Sequence, residues 1–235
     1  MKIIIKGETS LKKIITLLLI VLLSACANKQ LQKPPEQAVT PPPVVTKMTF
    51  REGSHYRLIN RNTAIHRINK KIKITEYFLY GCPHCYELEP KLAKWLEKND
   101  NVEFSRVPAI LGPTWGEMAK FYYVAEKLNI LEEMHMAFFK EIHTSDKKYL
   151  SELAIREFFL KNGVTYENYT AAYYSEEVRT KVNEARFQSI QLKLRGVPAV
   201  VVNDKWMTAP YYVKNQEQML EVLDYLVKIE SEGGQ

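Results

Sequence analysis

The chain has 235 residues, 46% of them apolar, which suits one compact domain of roughly 200 residues or fewer plus an export segment. Its formal charge is +6, but Lys2, Lys6, Lys12 and Lys13 against Glu8 belong to the first 25 residues, and without them 29 basic face 26 acidic side chains. Nor do Lys and Arg gather into a stripe of the kind a phosphate backbone requires, so no nucleic-acid partner is expected.

The chain begins basic at Lys12-Lys13, turns apolar over Ile14–Leu23 and closes on Leu23-Ser24-Ala25-Cys26. Such a run is short for a bilayer span and matches the core of a signal peptide, assigned to residues 1–25. The four closing residues resemble the bacterial lipobox. Cleavage before Cys26 would leave its thiol as the lipidation site, and several acyl chains on one residue anchor durably. Ala27, rather than an aspartate, permits the outer membrane under the usual sorting rule.

Residues 26–48 read as the lipidated cysteine followed by a tether. Pro34, Pro35, Pro41, Pro42 and Pro43 break any apolar period, which predicts an extended spacer of ~3 Å per residue reaching up to roughly 60 Å.

The folded part follows in three stretches. Residues 49–112 hold a short edge strand at Tyr56–Leu58, a β-rich apolar strand at Lys73–Tyr80, a helix carrying Leu88, Leu92, Trp95 and Leu96 on one face, and a strand at Asn101–Val107. Pro83 suits the first helical turn and Pro90 predicts a kink. Residues 113–194 have a helical period almost throughout. Their stripes are Met118, Phe121, Tyr122, Ala125 and Leu128, then Met134, Phe138, Phe139 and Ile142. A helix follows from Ser151 to Gly163, then a short piece at Tyr166–Tyr173. The last is a long helix capped by Ser175 that runs through Val178, Val182, Ala185 and Ile190 to Gly196. Residues 195–230 return to strand at Ala199–Val202, turn at Asn203-Asp204, pair back over Lys205–Thr208 and end in a helix opened by an Asn215/Gln218 capping box. Residues 231–235 read as a flexible tail.

Only three cysteines are present: Cys26, Cys82 and Cys85. One closes the signal and the others are three positions apart, so the domain has no spread set for a structural cross-link. A zinc site would need a second ligand pair, and His55, His66, His135 and His143 form none, so no metal and no cofactor are expected. His135 and His143 read as surface or packing residues. The pair Cys82-Pro83-His84-Cys85 is left for thiol chemistry, in which a thiolate is the nucleophile. The helix N-terminus, Pro83 and a hydrogen bond or charge from His84 would each favour a Cys82 thiolate, while Cys85, one turn on, would be the buried resolving thiol. Glu76, six residues before Cys82, either faces solvent or is buried with a raised pKa and relays a proton for Cys85.

Cys82-Pro83-His84-Cys85-Tyr86, with Arg195-Gly196-Val197-Pro198-Ala199 more than a hundred residues later, closely resembles the DsbA family of bacterial disulfide-forming oxidoreductases, over about Ile74 to Ile229. The resemblance implies an α/β thioredoxin fold with an inserted all-helical domain. It implies a redox-active Cys82–Cys85 disulfide, a cis Val197-Pro198 bond facing it, substrate pairing along the Val197 backbone and a buried acid at Glu76. The low cysteine pKa and oxidising power of DsbA itself are standard examples of these effects.

It further implies an enzyme that donates its disulfide to reduced exported proteins in the envelope and is reoxidised by a DsbB-like membrane quinone oxidoreductase, acting as a monomer. An isomerase or reductase kept as the dithiol is the alternative, and a non-enzymatic envelope chaperone a minor one. Two departures bear on substrate choice: Tyr80-Gly81 stands where a bulkier aromatic pair is expected, and Pro90 is more typical of thioredoxin.

Overall fold

The computed structural model describes residues 49–60, 71–146 and 149–233. The expected signal, Cys26 and the tether lie outside them, as do residues 234–235 of the tail. The strands are β1 (Arg57–Leu58), β2 (Ile72–Phe78), β3 (Val102–Pro108), β4 (Ala199–Val202) and β5 (Trp206–Thr208), ordered β1-β5-β4-β2-β3. Only the β2/β3 pair is parallel, and the long crossover it requires is α1 (Pro83–Leu96). Asn203 and Asp204, both at positive φ, form the turn that reverses β4 into β5.

Strand alternation positions the site. Ile72, Ile74, Glu76 and Phe78 share one face of β2, and Ile74 packs with Leu88 and Leu92 of α1. Glu76 is thereby placed beneath that helix. The last helix, α7 (Gln216–Ser231), covers the same core with Val222, Leu223 and Leu226. Its N-terminus is capped as expected. Asn215 Oδ1 accepts from the Gln218 amide at 2.9 Å, and Gln218 Oε1 accepts from the Lys214 amide at 2.8 Å, one residue earlier than the usual reciprocal bond.

Between β3 and β4 run α2 (Trp115–Lys127), α3 (Leu131–Thr144), α4 (Glu152–Lys161), α5 (Tyr166–Tyr173) and α6 (Glu176–Gln191). Helix α2 is their hub, touching all four others. The expected aromatic stripes meet in one core, where Phe121 and Phe138 stack and Phe139 and Phe159 are fully buried. Phe78 and Tyr80, at the end of β2, enter that same core.

Helix α1 contains Pro90 at its exposed surface. The expectation for α6 needs revising: the helix ends at Gln191, short of Gly196, its fourth buried position is Ser189, and Ile190 is 63% exposed. Ser189 continues the step of four from Ala185 and uses its hydroxyl twice, donating to the Ala185 carbonyl and accepting from the Ile110 amide. His135, expected at the surface or in packing, is the latter: it is buried at 6% exposure against Phe78, Tyr80 and Phe139.

Candidate active site

Cys82 is the N-cap of α1, with φ −94° and ψ 116°, and Pro83 takes the first helical position, where no N–H is needed. The chain arrives there through Gly81, which passes so close to Met118 that a Cβ would lie 3.3 Å from the Met118 methyl. A side chain at this position would require the flexible end of Met118 to give way by a few tenths of an ångström. Cys85, one turn inside the helix, is fully buried, and both sulfurs are thiols.

The two sulfurs therefore meet opposite electrostatics. Cys82 is lowered from 9.0 to about 6, chiefly because the Cys85 thiol donates to its thiolate; amide N–H groups of Cys85 and His84 and the His84 charge add smaller contributions against the cost of burial. Cys85 is pushed well above the usual thiol range, first by burial, then by its bond to Cys82 and the Cys82 and Glu76 charges. His84, expected as one of three contributors, is 69% exposed and turns toward Glu87 at 3.4 Å.

Facing Cys82 is the Val197-Pro198 peptide, which is cis. As a thiol, Cys82 donates to the Val197 carbonyl at 3.6 Å. An open groove of about 210 Å³ lies alongside, lined by His84, Pro198, Pro210, Val213 and Met219, with Lys214 at its rim. Gln216 Nε2 donates to the His84 carbonyl at 2.8 Å and ties the start of α7 to the redox turn. Of these residues His84 and Pro198 belong to the two sequence motifs, whereas Pro210, Val213 and Met219 carry no local motif and are brought here by the tertiary fold.

Beneath Cys85 lies a buried polar cluster. Glu76 has no solvent exposure, which rules out a solvated face. Burial and the Glu89 charge raise it from 4.5 to about 8, against the pull of Arg106. Arg106, paired with Glu76 across the β2/β3 register, is 3.3 Å from Glu76 Oε2. Its N–H groups instead fork onto Glu89, at 3.1 Å from Nε and 2.7 Å from Nη2. Neither Glu76 oxygen has a hydrogen-bond partner among the described residues. Sequence reasoning found Glu76 and missed Glu89, Arg106 and His135. Glu89 was within reach, since it lies one turn beyond Cys85 on the buried face of α1.

A family model for the DSBA-like thioredoxin domain matches residues 73–223. The chain is 35% identical over 159 residues to the thiol:disulfide interchange protein DsbA of Burkholderia cepacia, covering 67% of this chain and 75% of the relative. It is 34% identical over 161 residues to the protein of the same name from Azotobacter vinelandii, covering 68% and 75%. Among solved structures it is similar to Pseudomonas aeruginosa DsbA, with a TM-score of 0.71 and 29% identity over 78% of this chain and 95% of that one. The oxidoreductase DsbA from Xylella fastidiosa gives 0.70 and 28%, over 78% and 98%. With a dithiol of opposed sulfur electrostatics on a thioredoxin-like sheet, this chain belongs to the DSBA-like thioredoxin family and is a thiol–disulfide oxidoreductase.

Proposed function

We propose that the Cys82–Cys85 disulfide is donated to reduced, exported proteins in the bacterial envelope. What supports this direction above all is the contrast between the sulfurs. A thiolate held at Cys82, with a pKa of about 6, stabilises the reduced protein and makes its disulfide readily given up.

A substrate thiolate attacks Cys82 Sγ; a mixed disulfide forms and the Cys82–Cys85 bond breaks, with Cys85 leaving. Cys85 cannot remain a thiolate in its buried position, so it takes the proton of Glu76. A second substrate thiolate then attacks the substrate's own sulfur and expels Cys82 as its stabilised thiolate. The substrate gains a disulfide, the enzyme holds two more electrons, and Glu76 regains a proton from solvent. Pro83 and His84 shape the turn, and the Val197 carbonyl and Pro198 align an extended substrate strand beside Cys82.

Reoxidation falls to a membrane quinone oxidoreductase of the DsbB type. A lipid on Cys26 and the tether over residues 26–48 would hold the domain at a membrane surface and raise its encounter rate with partners on that membrane.

The deciding experiment measures the Cys82/Cys85 reduction potential beside two rates, oxidation of a reduced test protein and reduction of insulin. A strongly oxidising potential with fast oxidation is expected. A potential near that of thioredoxin with fast insulin reduction would overturn the oxidase direction. Incorporation of labelled palmitate at Cys26, absent in Cys26→Ser, tests the anchor independently.

A further inference from the structure

We propose that His135, on the inserted helix α3, is a positioning residue that locks Arg106 onto Glu89 and so leaves Glu76 as the protonated partner of Cys85. The proposal rests on the relay reading of Glu76 given above.

The geometry is directional. His135 Nε2 lies 3.0 Å from Glu89 Oε1, and His135 Nδ1 lies 2.8 Å from the Tyr80 hydroxyl. An ionised carboxylate only accepts, so Nε2 carries the proton; in the neutral ring Nδ1 then accepts from the Tyr80 O–H. Burial lowers the His135 pKa and keeps it neutral. Tyr80 thus donates to His135 and His135 to Glu89, while Arg106 donates to Glu89 twice. With three donors, Glu89 stays ionised despite its burial. Held in this fork, Arg106 directs Nε and Nη2 to Glu89 and stands 3.3 Å from Glu76 as the weaker of its two contacts.

The groups facing Glu76 are Cys85 and Glu89 from α1, Arg106 from β3, Tyr80 beyond β2 and Tyr122 from α2, with His135 of α3 bonded to Tyr80 and Glu89 behind them. Arg106 is the one cation among them, so the acid that wins it is ionised and the other keeps its proton. On the outer side, Glu89, Arg106, His135 and Glu132 border an open cavity of about 570 Å³, through which solvent protons reach the cluster. The insertion thereby sets the protonation of an acid that belongs to the thioredoxin-like sheet.

Without the His135 bond, Glu89 holds Arg106 less firmly and Glu76 competes for it. The test follows the Glu76 side-chain carboxyl by ¹³C NMR across pH in the reduced full chain. Wild type is expected to titrate near 8. His135→Leu keeps the site dry and removes both bonds, and should lower the proton affinity of Glu76 by about tenfold. His135→Gln keeps an N–H for Glu89 and should restore it to within about twofold. Should His135→Leu not fold, Glu89→Gln reads the same competition: Arg106 passes to Glu76, whose proton affinity should fall by at least about tenfold.

A Glu76 titration unmoved by His135→Leu, lowered equally by Leu and Gln, or unmoved by Glu89→Gln overturns the proposal. The other readings fail elsewhere. The oxidase direction is decided by the reduction potential, and the relay by whether Glu76→Gln slows the resolving attack of Cys85 on the Cys82–glutathione mixed disulfide; neither result alters the Glu76 titration.

Discussion

The mouth of the site and its floor hold the same chemical group one helical turn apart and treat it oppositely. At the mouth, Cys82 is half-buried and receives hydrogen bonds that favour its thiolate. On the floor, Cys85 is fully buried above a carboxyl that has no hydrogen-bond partner among the described residues, and its thiolate is disfavoured. Helix position accounts for the mouth, whereas the floor is made by a strand register and by helices inserted far along the chain. Reactivity in this dithiol therefore comes from the gradient between the two sulfurs rather than from either one alone.

The largest expected effect severs mouth from floor. Cys82→Ser should reduce oxidation of a reduced test protein by roughly a thousandfold or more. Cys85→Ser should instead trap a Cys82 mixed disulfide with a disulfide-containing substrate, the Cys82 thiolate displacing one of its sulfurs, visible by intact mass. Activity retained in Cys82→Ser would show that Cys85 can attack from the floor and would break the comparison.

Damage confined to the insertion should reach the floor and spare the mouth. Phe138 is fully buried, packed against Phe121 and Tyr80. Phe138→Ala is expected to lose about 3–5 kcal/mol of stability in urea denaturation. The folded variant should retain the Cys82 alkylation midpoint near 6. A midpoint displaced together with stability would mean that the two regions are not separable.

Next is the cost of the floor itself. Folded Glu76 holds its proton up to about pH 8, while the unfolded chain releases it near 4.5. Between these values the folded protein binds the extra proton, so stability falls as pH rises through that window. Glu76→Gln removes this penalty and should be more stable than wild type by about 2 kcal/mol above pH 8, with no gain below about pH 4. Paired Tm values at the two pH extremes check it; an equal offset at both would refute a protonation origin.

The smallest effects rank the contributors at the mouth. Because the Cys85 thiol is the main support of the Cys82 thiolate, Cys85→Ala should carry the alkylation midpoint back toward the ordinary thiol range, and His84→Ala should shift it by less. The reverse order would make His84, rather than the Cys85 thiol, the leading support of the Cys82 thiolate.

Much of this architecture was legible from local pattern. The period of 3.6 over residues 113–194, the caps at Ser151, Ser175 and Asn215, and the Asn203-Asp204 turn are signals carried by neighbouring residues, and the structure bears each of them out. Glu76 was legible as an anomaly, a carboxylate in an apolar strand, but not as a buried one. That depended on α1 lying over its face and β3 pairing alongside.

His135 was the clearest miss. It sits beside Met134 at the edge of an apolar stripe, and nothing within ten residues of it announces Tyr80 or Glu89, 55 and 46 positions away. The groove by Pro198 was missed for the same reason, since Gln216 and Met219 belong by pattern simply to an amphipathic last helix.

By itself the sequence determined the reactive dithiol, its place at a helix N-terminus, and the order of strands and helices, because these depend on spacing, capping and period. Tertiary structure alone decided which carboxylate holds Arg106, which keeps a proton, and that Cys85 rather than His84 chiefly supports the Cys82 thiolate. Those outcomes depend on distances of about 3 Å between distant parts of the chain and on the exclusion of water, and neither is encoded in local periodicity.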